Sequence, residues 1–166
     1  MNPNLIFLKM GISPDMAQDI TFFLVVILIS FVFGMFIGRY KLITILINIY
    51  ISLAILMTVP EGYLKDYFQK ILFFSTALII LTLTSKRLFE IYISGSGSGF
   101  LWRVFVMSFL EVVFLVSIII SLMPKKIALG YVSDTTYFYL ASPNARFIWM
   151  IIPLAFIFLI HKRLNR

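Results

Sequence analysis

Glu111 has the most chemical potential for its place in the chain. It lies in Met107-Ser-Phe-Leu-Glu-Val-Val-Phe-Leu115, near the middle of an apolar run from Phe100 to Met123, and is the only acidic side chain at that depth. Burying a carboxyl in hydrocarbon costs a few kcal/mol on insertion scales, so such a residue is expected to have a role and a partner. Three uses are open: pairing within or between chains, handling a proton or cation, or a shallow helix from which the side chain reaches the head groups. Asn48 is the candidate partner. From the basic residues that mark one membrane edge, Glu111 is ~12 Å in from Arg103, and Asn48 is ~10 Å in from Lys41. Counted from Arg39, Ser30 and Gly34 are ~13 and ~8 Å in. These positions share a layer, which predicts a hydrogen bond from Asn48 to Glu111 across an interface lined by Gly34.

Around that pair, small and polar residues recur at helical spacing. Ser30, Gly34 and Gly38 form one stripe, Thr44, Asn48 and Ser52 a second, and Ser75, Thr82 and Ser85 a third; Ser108 stands one turn before Glu111. Each stripe keeps to one helical face. Lipid tails are as apolar as leucine, so membrane helices associate through such residues rather than by excluding water. Helix packing is therefore the expected role of Ser30, Gly34, Gly38, Thr44, Ser52 and Ser108, with a polar lumen as the alternative.

Soluble-type catalysis finds no parts. No HExxH, GxSxG, P-loop or GxGxxG is present, and His161, beside Lys162-Arg163, reads as an interfacial side chain. Asp66 and Asp134 read as isolated loop carboxylates, and Asp15 and Asp19 share a helical face without a partner. Cysteine is absent, which excludes disulfides and thiolate metal sites. No catalytic residue, metal or cofactor is expected, and the protein is read as a non-enzyme.

The elements that position these residues follow from composition. Hydrophobic residues make up 61% and charged residues 13% of the chain, and its mean hydropathy is +1.04. A soluble domain is nearer half apolar and a quarter charged, so the excess faces lipid. The net charge of +7 does not indicate nucleic acid, because the basic residues sit at the ends of apolar runs, where insertion signals and head groups place them. Spans of roughly 20 apolar residues cross the hydrocarbon core. Five are predicted, at 21–38, 42–59, 68–85, 100–123 and 143–162, giving an all-α, polytopic bundle in a single membrane domain, 1–166.

Residues 1–20 form an N-terminal interfacial segment in which Ser13-Pro14 opens a helix, and the first span serves as an uncleaved insertion signal. Residues 94–99, Ser-Gly-Ser-Gly-Ser-Gly, form a flexible connector between a three-helix and a two-helix part. Residues 125–141 read as a polar and aromatic loop, and Ser142-Pro143 as the N-cap and first position of the fifth helix, with Pro153 expected to kink it. With the N-terminus outside, the cytoplasmic side receives Arg39, Lys41, Lys86, Arg87, Arg103, Lys162, Arg163 and Arg166. The other side receives Lys9, Lys65, Lys70, Lys125, Lys126 and Arg146. That asymmetry favours an outside N-terminus and a cytoplasmic C-terminus.

The order of features resembles a known family. A first hairpin with Gly34-Met-Phe-Ile-Gly38-Arg-Tyr-Lys41, a third span ending Ser85-Lys-Arg87, a Gly/Ser stretch and a fourth span opening Gly99-Phe-Leu-Trp-Arg103 are similar to the colicin V production proteins of bacterial inner membranes. The likeness covers residues 21–123. That family carries an Arg-Gly-x-x-Arg-Glu hinge, of which only Gly38 and Arg39 have counterparts here. Its basic-glycine feature within the fourth span is replaced by Ser108 to Glu111, and the fifth span is additional. The resemblance implies a non-enzymatic membrane protein tied to envelope maintenance or export. It would sit in the cell inner membrane. Five spans are few for enclosing a pathway, so a homo-oligomer or association with another membrane protein is expected on that separate ground.

Overall fold

The computed structural model describes residues 13–37, 41–60, 62–85 and 100–164, Phe100 and the last five by backbone alone. The expected connector at 94–99, residues 1–12, and Gly38 with Arg39 lie outside them. Among the described residues there are helices and no strands. In chain order they are α1 (Pro14–Ile37), α2 (Leu42–Thr58), α3 (Tyr67–Thr84), α4 (Phe100–Leu122), α5 (Lys125–Ala128), α6 (Asp134–Ala141) and α7 (Pro143–Leu164).

The helix starts follow local chemistry. Ser13 Oγ accepts from Met16 N at 3.3 Å, and the helix it opens continues from Pro14 through the first apolar run. Asp66, expected to be an isolated loop carboxylate, takes the N-cap position of α3, where Gln69 Oε1 accepts from Asp66 N at 3.4 Å and Lys65 N at 3.0 Å. Between α2 and α3, Tyr63 N donates to Pro60 O at 3.3 Å and Gly62 has a φ of 111°, a left-handed value that glycine tolerates without strain. Ser142-Pro143 starts α7 as expected. Ser142 is extended, as a residue before proline should be, and its Oγ accepts from Ala145 N at 3.2 Å.

The predicted loop at 125–141 is instead two short helices, α5 and α6. The reason is capping: Ser133 Oγ accepts from Thr136 N at 3.1 Å to start α6. At the other end of α6, Ser117 Oγ and Trp149 Nε1 donate to Leu140 O at 2.5 Å and Tyr139 O at 2.9 Å, satisfying carbonyls that a helix end leaves open. α6 and α7 meet at a bend of 56°.

α4 is the centre of the bundle, with α1, α2, α3, α6 and α7 all packed against it. Gly34 on α1 lies against Ser108 and Val104 of α4, while Asp19 near the start of α1 bonds Ser133 beyond the end of α4, so the two helices are antiparallel. α2 runs parallel to α4, since the Tyr50 and Phe114 rings meet 5.1 Å apart and the C-terminal ends of both helices line one cavity. α3 returns along α2, and α7 along α4. The core joins Leu42, Leu46, Ile49 and Leu53 of α2 to Phe74 of α3 and Met107, Phe114 and Ile118 of α4.

Among the described residues, three helices, Pro14–Ile37, Tyr67–Thr84 and Leu101–Leu122, are long and apolar enough to cross a membrane, and a fourth span arises if α6 and the following helix count as one bent crossing. α2, at 17 residues, is shorter than these and more enclosed than α1 or α3. The outer faces are consistent with membrane association. Leu24, Leu28, Phe31, Met35 and Phe36 of α1 and Leu72, Ile79 and Leu83 of α3 are exposed, which gives more apolar surface than a water-soluble monomer carries.

Candidate functional site

Glu111 is completely buried, at 0% exposure, and neither carboxyl oxygen has a hydrogen-bond partner among the described residues. Its direction follows from helix geometry. At ~100° per residue, Glu111 stands midway round α4 between Ser108, which faces α1, and Phe114, which faces α2. The carboxyl therefore points into the wedge between α1 and α2. The shallow position, from which Glu111 would reach the head groups, does not agree with this enclosure.

The rings of Tyr50 and Phe114 meet 5.1 Å apart on parallel helices. Glu111 precedes Phe114 by three residues and Asn48 precedes Tyr50 by two, so the two stand at a similar height along the bundle. The Gly34–Ser108 contact puts Ser30 at the height of Val112 on the antiparallel α1. Tyr50 donates its hydroxyl to Met150 O of α7, and Pro153, also buried, is three residues further toward the same height as Glu111.

The hydrogen bond expected between Asn48 and Glu111 is not formed. Asn48 Nδ2 donates to Thr82 Oγ1 at 3.3 Å, and its Oδ1 accepts from Ser85 Oγ at 3.1 Å, so the amide is turned to α3. The physical reason lies in the stripe on α3: Thr82 and Ser85 offer two hydroxyls on one face of the helix adjacent in sequence. α4 offers at this height a single carboxyl directed into a different wedge.

The packing residues are distributed as follows. Ser30 is fully buried with its Oγ donating to Val26 O at 2.6 Å. Gly34 needs its missing side chain: a Cβ there would lie 2.8 Å from Ser108 Oγ and 3.3 Å from Ser108 Cβ. Ser108 is buried, with its Oγ donating to Phe105 O at 2.9 Å. Thr44 and Ser52 flank Asn48 on α2 and are buried, but their hydroxyls have no partner among the described residues. Gly38 lies outside those residues.

Three contributors escaped the sequence reading. Tyr50 bonds α7 at Met150, three residues before Pro153, which lacks an N–H and leaves the Trp149 carbonyl without its usual helical donor. The available signal was a tyrosine in mid-helix, away from the interfacial positions of the others. Asp19, expected to be unpartnered, accepts from Ser133 N at 3.2 Å and Ser133 Oγ at 2.7 Å. Asp134, expected to be isolated, pairs with Lys125 at 2.7 Å, and this hydrogen bond and charge hold the exposed ammonium above its ordinary pKa.

Chemically, the Glu111 layer can hold a proton or receive a donor supplied by another molecule. No group of three His, Cys, Asp or Glu suited to a metal is found among the described residues. No family model matches the chain, and neither a curated protein nor a solved structure matches it.

Proposed function

We propose that this protein is a non-catalytic, multi-pass membrane protein acting as a subunit or scaffold of a membrane assembly. It is threaded five times through the cell inner membrane with its N-terminus outside and its C-terminus cytoplasmic. The alternating directions of α1, α2, α3, α4 and α7 support that threading, with α2 at the lower end of the ~17–25 residues that a span requires. Envelope maintenance or export is the role that the resemblance to colicin V production proteins suggests.

The observation that carries this reading is the one-sided packing of α1. Val26, Ser30 and Gly34 are buried on one face, Ala17 is buried near the start of the helix, and the remaining faces present apolar side chains to lipid, a second copy or another membrane protein. Purification in a mild detergent with native mass measurement tests it: the expected species exceeds the 19.2 kDa of one chain. A strictly monomeric protein that recovers no membrane partner would overturn the subunit role.

Glu111 favours a second reading, a small transporter or channel component in which the carboxyl handles a proton or cation. Reconstituted liposomes separate the two. Proton or cation flux that disappears in Glu111→Gln supports transport, and no flux with either protein supports the subunit.

A further inference from the structure

A second feature of the fold begins one helical turn beyond Glu111, at Phe114, and opens toward the end of the bundle. A cavity of about 550 Å³ opens where α2 and α4 end and α3 and α7 begin, a size within the range of small-ligand sites. Its inner wall is apolar, formed by Leu53, Leu56, Ile118, Leu122 and Met150. Two cations stand at it, Lys70 from the first turn of α3 and Arg146 from the first turn of α7. Neither has an ion-pair partner among the described residues, and Arg146 Nε is buried without a hydrogen-bond acceptor. Pro143, the first residue of α7, also lines the space, so the positive end of a 22-residue helix adds to the same field.

We propose that this cavity is a binding site for an anionic phospholipid, with the phosphate held by Lys70 and Arg146 and an acyl chain lying along the apolar wall. The charge complementarity is specific in kind. A guanidinium offers a planar set of N–H donors matched to phosphate oxygens, and a lysine supplies a mobile point charge beside it. The apolar wall distinguishes an amphiphile from a free anion, which would leave most of the cavity unfilled. Helix ends meet here, so the cations stand at head-group height and the wall at hydrocarbon height. The site rests on the membrane embedding of the chain and is independent of the subunit role.

The test uses the full chain in neutral detergent, titrated by native mass spectrometry with phosphatidylglycerol, phosphatidylcholine or inorganic phosphate. Phosphatidylglycerol is expected to bind about thirty-fold more tightly than phosphatidylcholine, the contribution of two cations near a membrane surface. The double variant Lys70→Ala/Arg146→Ala is expected to lose that preference while its helical circular dichroism is unchanged. Lys126→Ala, outside the cavity, retains it. Leu122→Trp narrows the apolar wall and should weaken both lipids alike, which keeps the site testable if the double variant fails to fold. Equal affinity for the two lipids, or a folded double variant with wild-type preference, overturns the proposal. Inorganic phosphate binding as tightly as phosphatidylglycerol overturns the lipid assignment in favour of a free anion. Release of the chain from membranes by alkaline carbonate overturns the embedding itself, whereas loss of lipid preference in a chain that stays in the membrane fraction overturns the site alone.

Discussion

Asn48 and Glu111 stand at a similar height on parallel helices, and their surroundings are opposite. The α2–α3 interface supplies Asn48 with a donor and an acceptor, and the whole arrangement is 1% exposed at the amide. The wedge between α1, α2 and α4 supplies Glu111 with neither. A satisfied polar side chain in lipid joins two helices, while an unsatisfied one is a cost that the fold carries for some other purpose. Depth alone placed both residues; the partners separate their roles.

The largest effect should come from closing the contact that brings α1 against α4. Gly34→Ile inserts a branched side chain where even a Cβ meets Ser108 at 2.8 Å, and is expected to destabilise by about 1–3 kcal/mol in micelle unfolding. An unchanged midpoint would mean that α1 is not seated on α4, and the wedge around Glu111 would lose one wall.

Paired leucine substitutions then test the contrast itself. Asn48→Leu removes two interhelical hydrogen bonds and is expected to cost about 1 kcal/mol. Glu111→Leu removes a buried carboxyl without a partner and is expected to leave stability unchanged or raise it. If both variants are destabilised equally, Glu111 has a donor in the assembled protein, and the two sites are of one kind.

The smallest effect is at the surface, where Lys125 and Asp134 pair in the open. The lysine pKa is raised in the folded state, so its contribution is complete below the ordinary lysine value and is lost as pH rises through the higher folded value. Unfolding midpoints should therefore not change through this pair between neutral and mildly alkaline pH. A Lys125→Met variant should differ from the parent only in that range, and by little. A large difference at neutral pH would mean that this loop contributes more to the fold than an exposed pair allows.

Much of the fold was legible because lipid imposes a simple pattern. Apolar runs bounded by Arg39-Tyr-Lys41, Pro60, Lys86-Arg87 and Pro124 mark the helices, and Ser13-Pro14 and Ser142-Pro143 mark two starts. The similar heights of Glu111 and Asn48 were legible for the same reason, since a rise of ~1.5 Å per residue fixes depth without knowledge of packing. Rotation about each helix axis was not. Whether Asn48 turns to α3 or α4 depends on which neighbour offers matching hydroxyls, and Thr82 and Ser85 decide it. The short helix α6 has a local start signal in Ser133, which caps Thr136 N, but its C-terminal carbonyls are satisfied by the distant Ser117 and Trp149, which a local reading of 125–141 does not reach.

The bond between Asp19 and Ser133 joins residues 114 positions apart. At synthesis rates of ~5–20 residues per second, α1 is made several seconds before either α4 or Ser133 exists, and in the proposed threading it would enter the bilayer in that interval. Until then it lacks α4, and it is the most apolar of the three long helices among the described residues. α2 carries Thr44, Asn48 and Ser52, but the hydroxyls that Asn48 needs follow only 34 and 37 positions later. Within this chain, tolerance of solitude and delay before rescue rise together: the earliest segment is greasy enough to be a stable lodger, and the polar one is never left waiting long.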